Sequence, residues 1–396
     1  LLGGKEMIYD NCIKYIYDEM DEISKKEDLK NCNCVIWGID SLAKCIVAYL
    51  RDIGNSNIRI FDDEQVVDTY SDIIIEKENV DIDNVTIFVT VKSYLNKVNQ
   101  MELDKKNCKI IDLTYLRMDT YFPNPIKPKD NISTLSLREC QLAQVPLLDD
   151  LHRVCIKHNL RYCFDYGTLL GAVRHKGFIP WDDDLDVAMP IYDYLKFCDI
   201  YSEEGQFFFD SHHNLKNDNL PISVLARIKH KQIATEYVHL PLRTMTGVGI
   251  DVFPLVGFPD SEKEQDDYVK LFAKWGDIWK EKVIIPFGTE KYSREEHLEI
   301  CHKMEEVLLK YDYETANYVG PAYFGLFPIA SYNKRALPKK AYDPVMYGEF
   351  EGHQYYIPQN YQLSLTKWYG DYMQLPPEEK RVPHNSNGFY RMEYGS

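Results

Sequence analysis

The sequence predicts two parts in series, a parallel α/β unit followed by an α+β unit. Three observations carry this reading. Between Cys34 and Asp112 short apolar runs alternate with helical patterns, the signature of strands joined by crossover helices. A stretch holding Pro123, Pro125 and Pro128 then interrupts the chain. Beyond it strands and helices no longer alternate, and 396 residues exceed what one core usually serves. The expected organisation is a domain over residues 1–120, a linker over 121–134 and a second domain over 135–396.

In the first domain, Ile8, Cys12, Ile16 and Met20 recur at helical spacing and predict an opening helix over residues 6–23. Residues 34–38, Cys-Val-Ile-Trp-Gly, read as a buried strand ending in glycine, and residues 41–52 as the helix that follows. Further strands are expected at 58–61, 86–91 and 109–112, with a helix at 93–103. This is a Rossmann-like parallel sheet. Its first turn departs from the dinucleotide fingerprint G-x-G-x-x-G, because only Gly38 is present and Asp40 stands where a pyrophosphate would approach.

In the second domain, Leu142, Val145, Leu148, Leu151 and Cys155 mark one face of a long helix, and Arg161 to Phe164 is short and extended. Residues 222–228 and 232–235 are expected to form a β-hairpin around Lys229-His230-Lys231. Residues 248–254, Val-Gly-Ile-Asp-Val-Phe-Pro, form a strand with one acid in it. Tyr268, Leu271, Phe272, Trp275 and Ile278 form the stripe of a helix, and Ser293 with Glu296 caps another. The tail from Phe350 to His384 mixes Gly, Pro and Tyr and is expected to be irregular.

The net charge of −16 excludes nonspecific binding to nucleic acid or to an anionic membrane surface. Ten cysteines without CxxC pairs read as reduced thiols, and no apolar run reaches the roughly 18 residues of a membrane span. The expectation is a cytoplasmic protein.

Residues 164–189, FDYGTLLGAVRHKGFIPWDDDLDVAM, concentrate the chemistry. Four aspartates, Asp182, Asp183, Asp184 and Asp186, fall within five residues, and carboxylates this close bind a cation or share protons. If Asp182 to Met189 is extended, alternation sets Asp182, Asp184 and Asp186 on one face, with Leu185, Val187 and Met189 toward the core. Two carboxylates two residues apart on a strand can reach one Mg²⁺ or Mn²⁺. Asp251, alone between Ile250 and Val252, is the candidate third ligand; the alternative is a strand-end aspartate facing water. A calcium loop would use Asp182, Asp184, Asp186 and Asp193, but Val187 stands where its sharp turn needs glycine. Gly167-Thr168 at a helix start can offer backbone N–H groups to a phosphate, or be an ordinary cap. Arg174, His175 and Lys176 can contact a phosphate or an acceptor, or only offset a helix dipole.

The run YGTLLGAVRHKGFIPWDDDLDVAMP is similar to the signature of the LicD family, whose wider kin include the fukutin proteins. Further matches follow in order: residues 249–254, Phe350-Glu351-Gly352 with Ile357-Pro358, Tyr369-Gly370-Asp371, Pro376-Pro377 and His384. They span roughly residues 138 to 390. The resemblance implies a nucleotidyltransferase-type fold with a mixed sheet and helical additions. It further implies metal-dependent transfer of a phosphorylated alcohol, such as phosphocholine or ribitol phosphate, from a CDP-activated donor to a cell-surface glycan or lipid-linked precursor. Position by position, Asp184 and Asp186 would hold the metal with Asp251 as third acid, and Asp182 would join them or support them. Gly167 and Thr168 would hold phosphate. Arg174 and Arg227 would stabilise charge on the departing CMP, and Tyr369 or His384 would contact nucleotide or acceptor. A nucleotidyltransferase, a DxD glycosyltransferase and a noncatalytic nucleotide-binding scaffold are the alternatives.

Overall fold

The computed structural model describes residues 10–38, 41–62, 69–70, 73–76, 83–90, 108–113, 118–119, 132–211, 225–237, 244–279, 294–322, 336–383 and 386–392. The chain separates into two compact units. One holds residues 1–130, 239–245 and 282–293, the other residues 131–238, 246–281 and 294–396.

The first unit contains helix α1 (Asp10–Ser24), strand β1 (Cys34–Trp37), helix α2 (Ser41–Asp52), β2 (Ile58–Phe61), β3 (Thr69–Tyr70), β4 (Ile73–Glu76), β5 (Thr86–Val89), β6 (Lys109–Asp112) and β7 (Met118–Asp119). The sheet order is β3-β4-β2-β1-β5-β6, with every pair from β4 to β6 parallel and β3 antiparallel to β4. Strands this apolar must be covered on both faces. On one face Cys34, Ile36, Ile58 and Ile60 meet Ile16 and Met20 of α1 and Ile46 and Leu50 of α2. On the other, Val35, Trp37, Phe61, Ile87 and Val89 form a second cluster. Gly38 ends β1 at a φ of 96°, a conformation glycine adopts at little cost. Asp40 and the expected helix at 93–103 lie outside the described residues.

The second unit opens with β8 (Ile132–Leu135), so the end of the proline-rich stretch is itself a strand. Helix α3 (Leu137–His158) follows, set by a capping box in which Ser136 accepts from the Glu139 N–H and Glu139 accepts from the Ser136 N–H. Next come β9 (Cys163–Phe164), α4 (Tyr166–Arg174), β10 (Leu185–Pro190), α5 (Ile191–Glu204), β11 (Phe208–Asp210), β12 (Ala226–Tyr237) and β13 (Thr244–Phe258). Helices α6 (Glu262–Trp279) and α7 (Arg294–Leu308) precede β14 (Tyr318–Pro321), β15 (Leu337–Pro338), β16 (Val345–Phe350), β17 (His353–Pro358), α8 (Tyr361–Tyr369) and β18 (Ser386–Met392). The main sheet runs β15-β14-β13-β12-β18-β8, with β11 on β12 and β10 on β13. It is mixed, since β10 runs parallel to β13 while β9 is antiparallel to β10.

Three expectations change. The hairpin around Lys229-His230-Lys231 is instead the single strand β12. Gly247 and Gly249 on the neighbouring strand allow the two backbones to approach closely there, since a Cβ at either would run into the backbone carbonyl of His230 or Ile228. Strand β10 begins only at Leu185, leaving Asp182 to Asp184 in irregular lead-in. The tail is not irregular throughout, for it contains the β16–β17 hairpin and α8. The turn of that hairpin needs positive φ at Glu351 (52°) and Gly352 (81°), as a two-residue turn between twisted strands does. The Ser293 cap lies outside the described residues.

Candidate active site

Parallel pairing of β10 with β13 sets Asp186 opposite Asp251, on one face of the sheet. Two carboxylates more than sixty residues apart in sequence are thereby cross-strand neighbours. On the far side of β13, Arg227 of β12 clasps Asp251, its Nε donating to Oδ1 at 2.8 Å and its Nη2 to Oδ2 at 3.3 Å. Asp210 of β11 stands directly across from Arg227, and Lys229 Nζ lies 3.6 Å from Asp210 Oδ2. A charged row, Asp210–Arg227–Asp251–Asp186, thus crosses four strands.

The remaining acids arrive from the lead-in to β10. Asp182, Asp183 and Asp184 offer carboxylate oxygens all within 4.8 Å of one another. Two glutamines at i and i+3 on α3 hold this segment by its backbone. Gln141 Nε2 donates to the carbonyls of Ile179 (3.1 Å) and Asp182 (2.9 Å), and Gln144 Nε2 to that of Asp183 (3.3 Å). Gly167, at the start of α4, admits Asp182. A Cβ there would stand 2.5 Å from Asp182 Oδ2, so the carboxylate lies against bare backbone at a helix N-terminus. Thr168 Oγ1 accepts from the Asp186 N–H at 2.7 Å, tying α4 to β10. Asp165, fully buried, caps α4 through the Tyr166 N–H, donates its own N–H to the Asp186 carbonyl and accepts from the Tyr342 hydroxyl.

The crowding is visible in proton affinity. Burial and then the charge of Asp183 push Asp182 up to about 7. Burial, then Asp184 and Asp251, push Asp186 well above the usual carboxylate range. Burial also lifts Asp210 to about 7, with Arg227 lowering and Asp251 raising it. Tyr369 is 41% exposed overall, yet its hydroxyl end is held well above its usual range by burial and then by the charges of Asp186 and Asp182.

Of the residues singled out from sequence, the second unit thus gathers Asp182, Asp184, Asp186, Asp251, Gly167, Thr168 and Arg227, and adds Asp183 to the lead-in cluster. Arg174, at the end of α4, donates to the carbonyls of Tyr372 (2.7 Å) and Gln374 (3.3 Å), so it binds the segment after α8. Glu351 accepts from the Phe178 N–H at 3.0 Å and pairs with Arg138, bracing the turn after α4. His384 lies outside the described residues. Sequence reading missed Gln141, Gln144, Asp165 and Asp210. The glutamines had a signal, two amides inside the apolar face of α3, whereas Asp210 had none.

Among the described residues no helix is long and apolar enough to cross a membrane. The family model described as LicD/FKTN/FKRP, nucleotidyltransferase domain, matches residues 159–296, the stretch that supplies every acid of the site. An uncharacterized protein of Rickettsia typhi is 41% identical over 73 residues, 18% of this chain and 24% of that protein. A second, from Rickettsia prowazekii, is 50% identical over 48 residues, 12% and 18% of the two chains. The lipopolysaccharide cholinephosphotransferase LicD of Haemophilus influenzae is 31% identical over 270 residues, which is 65% of this chain and 98% of that protein. With nearly the whole of that enzyme matched, and the family model lying over the strands that bring Asp186 and Asp251 together, the chain belongs to the LicD family and is a LicD-type phosphotransferase.

Proposed function

We propose that the protein uses Mg²⁺ or Mn²⁺ to move a phosphorylated alcohol, phosphocholine or a polyol phosphate, from a CDP-activated donor to a hydroxyl of a cell-surface glycan or its precursor. The observation that carries this is the cross-strand pairing of Asp186 with Asp251 beside the Asp182–Asp184 cluster. The donor set fits a hard divalent cation: it is all carboxylate oxygen, its members raise one another's proton affinity, and a guanidinium already answers Asp251. In this reading Asp184, Asp186 and Asp251 hold the ion, with Asp182 supporting them from the N-terminus of α4. When bound, the ion would neutralise the donor's diphosphate oxygens.

The chain's own groups supply the rest. Thr168 accepts from Asp186 through Oγ1, which leaves its O–H to donate to a donor phosphate beside the Gly167 backbone. Arg227, 2.8 Å from Asp251, is placed to answer charge on the departing CMP. Arg174 holds residues 372–374 at the rim, and Tyr369 turns its hydroxyl toward the acids, where it meets donor or acceptor. Asp251, positioned by Arg227, takes the proton of the attacking hydroxyl.

The test is incubation with CDP-choline, CDP-ribitol or CDP-glycerol, with and without Mg²⁺, while following CMP. A donor at 100 times its Kd should also stabilise the fold by about 2.7 kcal/mol. Release of diphosphate or of a nucleoside diphosphate would favour a nucleotidyltransferase or a glycosyltransferase. Turnover unchanged in Asp184→Asn would refute the site.

A further inference from the structure

Strands β16 and β17 pair with a register that sets Tyr347 opposite Tyr356 and Glu349 opposite Gln354. Alternation puts all four side chains on one face of the hairpin, the two pairs about 7 Å apart. Tyr347 is 55% exposed, and Glu349 and Gln354 are exposed beside it. The phenol rings lie 4.8 Å apart at 34° with their hydroxyls 3.4 Å apart, so one phenol donates to the other and one O–H is left for a ligand. Among the described residues the side chains of Glu349 and Gln354 have no hydrogen-bond or ion-pair partner. The tyrosines are fixed from behind. His152 of α3 stands edge-on to both rings, 6.2 Å from Tyr347 and 5.6 Å from Tyr356. Its Nδ1 is 2.7 Å from the Tyr162 hydroxyl, which also accepts from the Tyr356 N–H at 3.4 Å.

An aromatic surface that is already ordered loses little freedom when a ligand covers it. A pyranose matches this one, because it carries an apolar C–H face within a rim of hydroxyls: the face packs on the rings, and the rim meets the phenols, the carboxylate and the amide. A lipid tail would leave Glu349 and Gln354 unanswered, and an anionic polymer would be repelled by Glu349 in a chain of net charge −16. The acids are close in the fold. Tyr162 and Asp165 are three residues apart, a span of no more than about 11 Å, and the Asp165 N–H donates to the Asp186 carbonyl. We propose that Tyr347 and Tyr356, with Glu349 and Gln354, form a carbohydrate subsite that holds a sugar of the acceptor away from the hydroxyl that reacts. This rests on the reading of the acceptor as a glycan, and adds that it is an oligosaccharide held at two points.

The experiment probes an array of neutral hexose and N-acetylhexosamine oligosaccharides with the full chain, in chelator so that the cation site takes no part, beside melting curves and analytical ultracentrifugation. The wild type should bind a subset of the glycans. Tyr347→Thr keeps a strand former at an exposed position and should lower affinity for that subset about tenfold at an unchanged melting temperature. Glu349→Ala should lower it about threefold, through the loss of one hydrogen bond to a hydroxyl. No glycan bound by the wild type, or equal binding by Tyr347→Thr, overturns the subsite. So does self-association that Tyr347→Thr abolishes, which would assign the face to a second copy of the chain. Where Tyr347→Thr melts lower, Glu349→Ala decides: equal binding there overturns the subsite, and weaker binding supports it. Glycan binding that depends on Tyr347 without any CMP release from a CDP-linked donor would remove the transfer reading and leave the subsite. CMP release without Tyr347-dependent binding removes the subsite alone.

Discussion

Gln141→Leu tests whether the acids are held by their backbone. Gln141 is 2% exposed and its amide donates to two carbonyls, those of Ile179 and Asp182. The Ile179 carbonyl also accepts from the Asp182 N–H at 2.9 Å, so its loss is partial, about 0.5–1 kcal/mol. The Asp182 carbonyl loses a buried donor, which costs about 1–3 kcal/mol. Leucine is near in volume and opens little cavity, so the total is about 1.5–4 kcal/mol. At about 2–4 °C per kcal/mol for a unit of this size, the melting temperature should fall by roughly 3–16 °C. The assay is thermal unfolding beside Gln362→Leu, an exposed glutamine on α8 whose replacement should stay within about 0.5 kcal/mol. A second readout is Mn²⁺ affinity, which should drop with the slackened loop. If Gln141→Leu melts with wild type and binds Mn²⁺ equally well, the α3 amides do not position the acids.

Gly167→Ala should fold, because its Cβ meets only the movable end of Asp182, but lose Mn²⁺ affinity; Gly249→Ala should fail to give soluble protein, because its Cβ meets the Ile228 backbone. Expression yield and melting curves separate the two. Asp182 and Asp210 hold protons in the fold up to about 7, whereas the unfolded chain releases them near 3.8. Over that window the native state binds more protons, so stability of the metal-free protein should fall as pH rises from about 4 to about 7, and melting curves in chelator should show it. A rise across that range would contradict the buried, crowded acids. Glu351→Ala should cost about 1–3 kcal/mol by removing the acceptor of the Phe178 N–H, while Glu351→Gln, which keeps an acceptor and gives up only a pair with the half-exposed Arg138, should cost under about 1 kcal/mol in denaturant titration.

What was legible in the sequence followed from local rules. Buried parallel strands announce themselves as continuous apolar runs, and β1, β2 and β6 fall where such runs placed them. Asp186 stood out in a run of four aspartates by its alternation with apolar residues, and Asp251 because a lone charge in an apolar strand has few reasons to be there. Alternation failed at Asp182 because it assumes a strand that begins only at Leu185; an amide from α3, not pleating, holds the backbone there. The false hairpin at Lys229-His230-Lys231 came from reading three cations as a turn. Lys229 is instead 5% exposed within β12, its charge answered by Asp210, a pairing no single-strand pattern reveals. Asp210 was invisible for the same reason, since its meaning lies in the antiparallel register with Arg227.

The manner in which the acidic segment is held bears on how the site works. Asp182, Asp183, Asp184 and Asp186 repel one another, and a fold that restrained them chiefly through cations on their carboxylates would have to break those pairs to admit a ligand. Here the restraints from Gln141, Gln144 and Thr168 fall on backbone groups, the carbonyls of residues 179, 182 and 183 and the N–H of Asp186. Those bonds do not involve the carboxylates, so on the proposed reading a cation would bind without breaking them and would relieve the repulsion among the acids. Asp251 is the exception, because its partner is a cation. It is also the one acid of the set that arrives from a different strand. On the proposed reading, Arg227 stays against Asp251 as the group placed to meet the donor's own negative charge.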